Sequence, residues 1–252
     1  MCRNEAQLAI ASRSVWVGEA YGIRRPIRRH VVIYQGRPLN VFLEDRRFRA
    51  CLAPGGLDEA AHAGMVAGLL ASPGKWNDVI WPASIRDGAG LLVLSGRLIG
   101  RTELEDRCAI EILGPGDLLR PWQAQEPCSG WLDTLSTARM GVLDASFMNR
   151  TSSLPAVHAH LVERAIARSR HLAVIAAIRS QPRIEARVRL MLEHLADRWG
   201  QPSVNGVLVP RLNQALLGEL VAVSRQTVCC ALNAMRHSEE LQVTPGGWLV
   251  RC

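Results

Sequence analysis

Residues 212–250 constrain the fold more tightly than any other stretch of this 252-residue chain. Asn213 is a good helix N-cap, and the Gln214–Leu220 stretch behind it is long enough for about two helical turns. Val221-Ala222-Val223 then leaves room only for a tight turn. Ser224 is a second N-cap residue and opens a helix over Arg225–His237. Leu217, Leu220 and Val223 of the first unit can meet Val228, Leu232 and Met235 of the second, and Gly218 is small where the two helices would cross. That is the pattern of a helix-turn-helix. Leu241-Gln242-Val243, the Thr244-Pro245-Gly246-Gly247 turn and Trp248-Leu249-Val250 read as a following hairpin, a wing.

The second helix of this unit has two faces. Val228, Ala231, Leu232 and Met235 point inward, while Arg225, Gln226, Cys229 and, nearer the edge, Cys230 share the opposite face. An arginine and a glutamine on an exposed first turn suit a DNA major groove, where arginine pairs with guanine O6/N7 and glutamine with adenine N6/N7. The helix N-terminus and the hydroxyls of Ser224 and Thr227 can meet phosphates. The bland alternative is a packed helical hairpin with no nucleic-acid role.

Upstream, residues 154–178 carry the longest helix signal. Val157, Leu161, Ala165, Leu172, Ile175 and Ile178 recur at helical steps. A helix of that length, roughly 37 Å, either packs on a twin in a dimer or forms an intrachain core; the reading adopted is dimerisation. Gln181-Pro182 ends it, and Arg183–Trp199 forms another helix with Ile184, Val188, Leu192 and Leu195 on one face.

Residues 76–147 read as β. Leu91–Leu94, Ser95–Ile99, Cys108–Leu113 and Met140–Leu143 are short apolar runs separated by turn residues such as Gly114-Pro115-Gly116-Asp117, which suggests a roll, barrel or sandwich. Residues 57–71 have helical character. Val31–Tyr34 and Asn40–Leu43 look like strands joined by Gln35–Pro38. The nearby clusters Arg24-Arg25 and Arg28-Arg29 either touch nucleic acid or are solvated strand flanks.

Leu212-Asn213-Gln214, Leu217-Gly218-Glu219-Leu220-Val221 and Val223-Ser224-Arg225-Gln226-Thr227-Val228 resemble the winged helix-turn-helix of the cyclic-AMP receptor protein/Fnr (Crp/Fnr) regulator family. Gly88 through Gly96-Arg97-Leu98, Ile112 through Asp117, and Leu143-Asp144 with Phe147 are similar to the family's β-roll. The resemblance covers roughly residues 57–250. It implies an α+β chain: an N-terminal extension (1–55), a β-roll sensor domain (56–150), a dimerisation helix (151–181) and a winged helix-turn-helix DNA-binding domain (182–252). It further implies a homodimer, double-stranded DNA as partner, RNA polymerase as a further partner and a cytoplasmic location.

The expected DNA-binding residues are Asn213, Gln214, Ser224, Arg225, Gln226, Thr227, Cys229 and Cys230. The Gly-Glu and Arg-Ser or Arg-Thr pairs of the family's cyclic-nucleotide pocket are not found after Gly116-Asp117, so a cyclic nucleotide is not expected. Arg120, Trp122, Trp131 and Arg139 are the candidates for holding some other effector. Gln226 and Cys230 stand where that family's helix often carries Glu and Arg, so a different half-site is expected. Ala222 replaces the usual turn glycine, which implies either modest strain or a turn that avoids positive φ.

Composition narrows the rest. Net charge is +7, and 29 of the 30 basic residues are arginine; a basic balance favours a polyanionic partner, although a GC-rich genome also raises arginine. Residues 151–252 carry +5 of the excess and residues 1–150 only +2. Seven cysteines without paired spacing read as reduced thiols. No metal motif, iron–sulfur cysteine cluster, nucleophile–base pair or carboxylate pair is evident, so neither a cofactor, a metal nor an enzymatic activity is expected. No run is apolar enough to suggest a membrane partner. His158, His160 and His171 are weighed as haem ligands against surface or interface histidines, the bland reading being preferred. Cys229-Cys230 is weighed as a redox pair. The competing function is a ligand-binding regulatory or scaffold protein whose C-terminal module contacts protein rather than DNA.

Overall fold

The computed structural model describes residues 33–52, 60–76, 87–105, 107–120 and 129–251. Trp122, Cys2, Cys128, Cys252 and the arginine clusters at 24–29 lie outside them.

Two antiparallel sheets form the roll. One runs in the order β1 (Ile33–Asn40), β2 (Met65–Ala71), β9 (Ala138–Leu143), β4 (Gly90–Ser95), β7 (Leu118–Leu119). The other runs β3 (Gly74–Trp76), β8 (Ser129–Thr134), β5 (Leu98–Leu104), β6 (Arg107–Leu113). Leu91, Val93, Met140 and Val142 of the first sheet meet Leu98, Leu113 and Leu132 of the second in the roll interior. Leu92 and Leu143 point the other way, into a second core with Phe42, Phe48, Phe147, Val157 and Leu161. This explains the unbroken apolar run at Leu91–Val93: a strand covered on both faces has no reason to alternate.

The second core is closed by short capped helices. Asn40 caps α1 (Val41–Glu44), Asp45 caps α2 (Arg46–Ala50) and Asp144 caps α3 (Ala145–Arg150), each accepting from backbone N–H groups of the first turn. Residues 33–50 are therefore no separate extension. β1 pairs with β2 from Ile33↔Ala71 to Asn40↔Met65, and Phe48 packs edge-on against Phe42 and Phe147. The two strands expected around Gln35–Pro38 are one irregular strand followed by α1.

The helix expected at 57–71 is also corrected. Met65–Ala71 is a strand, with Val66, Gly68 and Ala71 buried, inserted between β1 and β9. Alanines and glycines interspersed through Ala60–Ala71 blur the helical and strand periods, and the place between the two strands decided the outcome.

α4 (Pro155–Arg179) starts on a proline and runs 25 residues, and α5 (Ile184–Trp199) follows. α6 (Gln214–Val221) and α7 (Arg225–His237) make the helix-turn-helix. The expected hairpin, β12 (Leu241–Thr244) and β13 (Gly247–Val250), is joined by β11 (Gly206–Val209) and β10 (Gln201–Ser203) into one sheet. The last two strands were not anticipated. The third core joins this module to the roll: Ile99, Ile110 and Ile112 of β5 and β6 lie in the same buried cluster as Ile175, Ile178, Met191, Leu217, Leu220, Val228 and Trp248.

α4 revises the dimer stripe. Val157, Leu161, Ile175 and Ile178 are buried within the chain itself. The exposed apolar positions include Ala159, Val162, Ala165, Ile166, Leu172, Ala173 and Val174, so Ala165 and Leu172 of the expected stripe do face outward. Among the described residues no single helix is long and apolar enough to cross a membrane.

Candidate nucleic-acid interface

The helix-turn-helix is built by two caps and one turn. Asn213 Oδ1 accepts from Leu216 N at 2.7 Å, and Ser224 Oγ accepts from Thr227 N at 3.1 Å. Between them Ala222 sits at φ 57°, ψ 47°, the left-handed conformation normally given to glycine. Of the two possibilities the sequence allows, a strained turn and one that avoids positive φ, the chain adopts the positive φ. Gly218 is required where it stands, because a Cβ there would lie 2.7 Å from the Val223 carbonyl oxygen.

The expected DNA-binding residues lie at two helix starts, Asn213 and Gln214 opening α6 and Ser224–Cys230 opening α7. Arg225, Gln226, Cys230, Ser224 and Asn213 are exposed, and Gln214, Thr227 and Cys229 are half-buried. The hydroxyls of Ser224 and Thr227 are 2.7 Å apart and share a hydrogen bond, so both already serve the cap. Cys229 Sγ accepts a long contact from Asn233 Nδ2 at 3.9 Å.

Beside the recognition-type helix α7 runs a groove of about 780 Å³. Its polar rim is Arg211, Asn213, Gln214, Arg225, Asn233 and Arg236. Leu232, Leu241, Val243 and Trp248 form its apolar wall. Arg211, Arg225 and Arg236 have no acidic partner among the described residues. Three guanidinium groups around one cleft give a strongly anion-attracting surface.

Arg211, Asn233 and Arg236 were missed by sequence reasoning. The signal for two of them was present: positions 225, 229, 233 and 236 fall on one face of a helix at steps of three and four.

The three described effector candidates lie on or beside three different strands. Arg139 on β9 pairs with Glu44 of α1 at 2.9 Å, both partly solvated. Trp131 on β8 is half-buried opposite Arg101, and Arg120 is exposed just after β7.

The surface of α4 facing the roll is occupied by the chain's own arginines. Arg164, 5% exposed, donates to the Gly116 carbonyl and to Asp45 at 2.7 Å, and lies 4.9 Å over the Phe48 ring. Arg168 grips Glu111 through two donors.

The histidines are likewise engaged. His158 Nε2 lies 3.0 Å from the Thr151 carbonyl, and His160 contacts Arg164 and Glu163. His171 stacks edge-on against His194 of α5 at 5.5 Å. Burial, followed by the nearby Arg198 charge, lowers the pKa of both rings, that of His194 to about 4. Among the described residues no three His, Cys, Asp or Glu side chains gather as a metal site.

Comparison with solved structures places this architecture. A mutant of CooA from Carboxydothermus hydrogenoformans matches with TM-score 0.56 and 19% identity, over 79% of this chain and 86% of that one. A cyclic nucleotide-binding domain containing protein from Listeria monocytogenes gives 0.60 and 17%, over 78% and 94%. The c-di-GMP-responsive global regulator CLP of Xanthomonas campestris gives 0.50 and 16%, over 79% and 100%. No family model and no curated protein matches the chain. The chain thus shares its fold with these structures: a two-sheet roll, a long helix and a C-terminal helix-turn-helix followed by a hairpin.

Proposed function

We propose that this chain is a homodimeric, sequence-specific DNA-binding transcription regulator of the Crp/Fnr type, and not an enzyme. The observation that carries the reading is the exposed first turn of α7, with Arg225 and Gln226 unobstructed beside a groove rimmed by three arginines. Arg225 and Gln226 read base edges. Arg211, Arg236, Gln214 and the N-terminus of α7 take phosphates.

Dimerisation is supported by the outer face of α4. Ala159, Val162, Ile166 and Ala173 are exposed there, the intervening Ser169 completing alternating steps of three and four, the spacing of a coiled-coil seam. Val162 is 59% and Ile166 45% exposed, which a lone helix in water gains nothing by presenting. Two such chains place their α7 helices in successive major grooves of a palindromic site, about 34 Å apart.

The roll serves as an effector domain that does not use a cyclic nucleotide. The sequence lacks the family's pocket pairs, and the Gly116-Asp117 turn is bound by Arg164 and Arg198 from the chain's own helices. RNA polymerase is the further partner this reading entails, and the cytoplasm its location.

A salt titration of binding to random duplex tests the reading. Log affinity should fall linearly with log salt as phosphate counterions are released. Absence of binding at low salt would instead favour a protein-contacting module.

A further inference from the structure

Arg179 is the last residue of α4, and its side chain reaches into the DNA-reading module. Its Nε donates to the Leu220 carbonyl and its Nη2 to the Glu219 carbonyl, each at 2.8 Å. Both carbonyls belong to the last turn of α6, where C=O groups have no partner in the helix ladder. The turn serves Gly218 O through Val223 N at 2.9 Å and Glu219 O through Ala222 N at 3.4 Å; Arg179 adds a shorter second donor to Glu219 O and donates to Leu220 O. A guanidinium is well suited to this place, since its donors are held in a rigid fork and its charge faces the negative end of the helix dipole.

The connection is short in space and long along the chain. From Arg179 the backbone passes through all of α5, β10 and β11 before it reaches α6. Through the side chain, the end of α4 touches a segment that lies one turn before Ser224, the cap of α7. Glu219 is held from the other side as well, because Arg101 of β5 donates to its carboxylate while donating to Asp133 at 2.9 Å. Residues 219–220 are thus the junction where the long helix and the roll both grip the reader.

We propose that Arg179 is a positioning residue that fixes α7 relative to the dimer axis and so selects the half-site spacing the dimer accepts. The inference rests on the dimeric DNA-binding reading above. In a two-fold dimer that spacing is set by the angle each reading module makes with the dimer helix. A rigid joint admits one spacing; a loosened joint admits several. Arg179 lies outside the groove rim and off the exposed face of α7, so the reading of each half-site is independent of it.

The test uses the full chain and palindromic duplexes with identical half-sites, selected by the wild type, whose spacers differ by single base pairs. The wild type should prefer one spacing over its neighbours by about tenfold, the size of a mismatch effect. Arg179→Ala and Arg179→Gln should compress that preference to about twofold or less, with binding to a single half-site unchanged. Arg179→Lys, which keeps the charge and loses the fork, should fall between the wild type and these two variants.

An unaltered spacing profile, or an equal loss on every spacer, would show a merely stabilising arginine and overturn the proposal. If Arg179→Ala does not fold, the Arg179→Lys profile decides by the same criterion. Failure of the wild type to bind duplex DNA is a separate result: it removes the DNA-binding reading, and this inference with it, before any variant is compared.

Discussion

Arg198 Nη2 lies 2.7 and 2.5 Å from the two carboxylate oxygens of Asp117, tying the end of α5 to the turn between β6 and β7. The two side chains are 9% and 12% exposed. Arg198 Nη1 also donates to the Ile112 carbonyl at 2.8 Å, and Asp117 accepts from Gly114 N at 2.7 Å. The Trp199 ring packs 4.0 Å from the guanidinium. A Cβ on Gly114 would lie 2.6 Å from that indole, so glycine is needed for the approach. One four-residue turn therefore anchors α5 through Asp117 and α4 through the Gly116 carbonyl.

Removing one member of this pair leaves a buried charge uncompensated. Asp117→Ala should cost about 3 kcal/mol in urea unfolding. Replacing both members, Asp117→Leu with Arg198→Met, should recover most of that loss, because the desolvation penalty disappears with the charges. A loss under about 1 kcal/mol for the single variant would place the pair among ordinary surface ion pairs.

The helix-turn-helix corner yields two substitutions of opposite sign. Gly218→Ala drives a methyl into the Val223 carbonyl and should cost about 1–3 kcal/mol. Ala222→Gly relieves a left-handed alanine and should add roughly 0.5–1 kcal/mol, the loss of strain exceeding the added unfolded-state entropy. Thermal melts of the two variants should bracket the wild type.

His194 gives a pH signature. It is buried, and its Nε2 has no hydrogen-bond partner among the described residues. The ring stays neutral in the folded chain down to about pH 4, whereas in the unfolded chain it takes a proton near 6.5. Its contribution to stability is therefore complete above about 6.5, declines as pH falls towards 4 and levels off below. The full excursion is about 3 kcal/mol. Subtracting the stability–pH curve of His194→Gln from that of the wild type should isolate this slope; parallel curves would remove His194 as its source.

The exposed face of α4 predicts the oligomeric state. Ile166→Glu places a charge in the middle of the Val162–Ala173 seam and should shift sedimentation equilibrium from dimer to monomer, while the circular dichroism of the monomer stays intact. Leu161→Glu should instead unfold the chain, since Leu161 is buried in its own core.

The C-terminal half was legible because its signals are local. Asn213 and Ser224 mark helix starts, and the three residues between the helices leave few conformations. The apolar positions of 228–235 recur with one period. The roll was harder. Met65–Ala71 is a strand only because β1 and β9 flank it, and β1 itself lay within what read as an extension. Of the stripe Val157, Leu161, Ala165, Leu172, Ile175 and Ile178, the structure buries four and exposes Ala165 and Leu172, because sequence periodicity does not tell whether a face meets its own chain or a twin. The groove arginines escaped notice for a related reason: Arg211 and Arg236 come together only when the start of α6 folds back beside the end of α7.

The central claim is that Arg225 and its neighbours read DNA sequence. Selection of bound duplexes from a random library, with the wild type and with Arg225→Ala, addresses it directly. The wild type should yield a palindromic consensus. Arg225→Ala should lose about 1–3 kcal/mol and relax one base pair in each half-site, leaving the rest of the consensus intact. The same consensus at the same affinity, or no consensus from the wild type, would contradict the account.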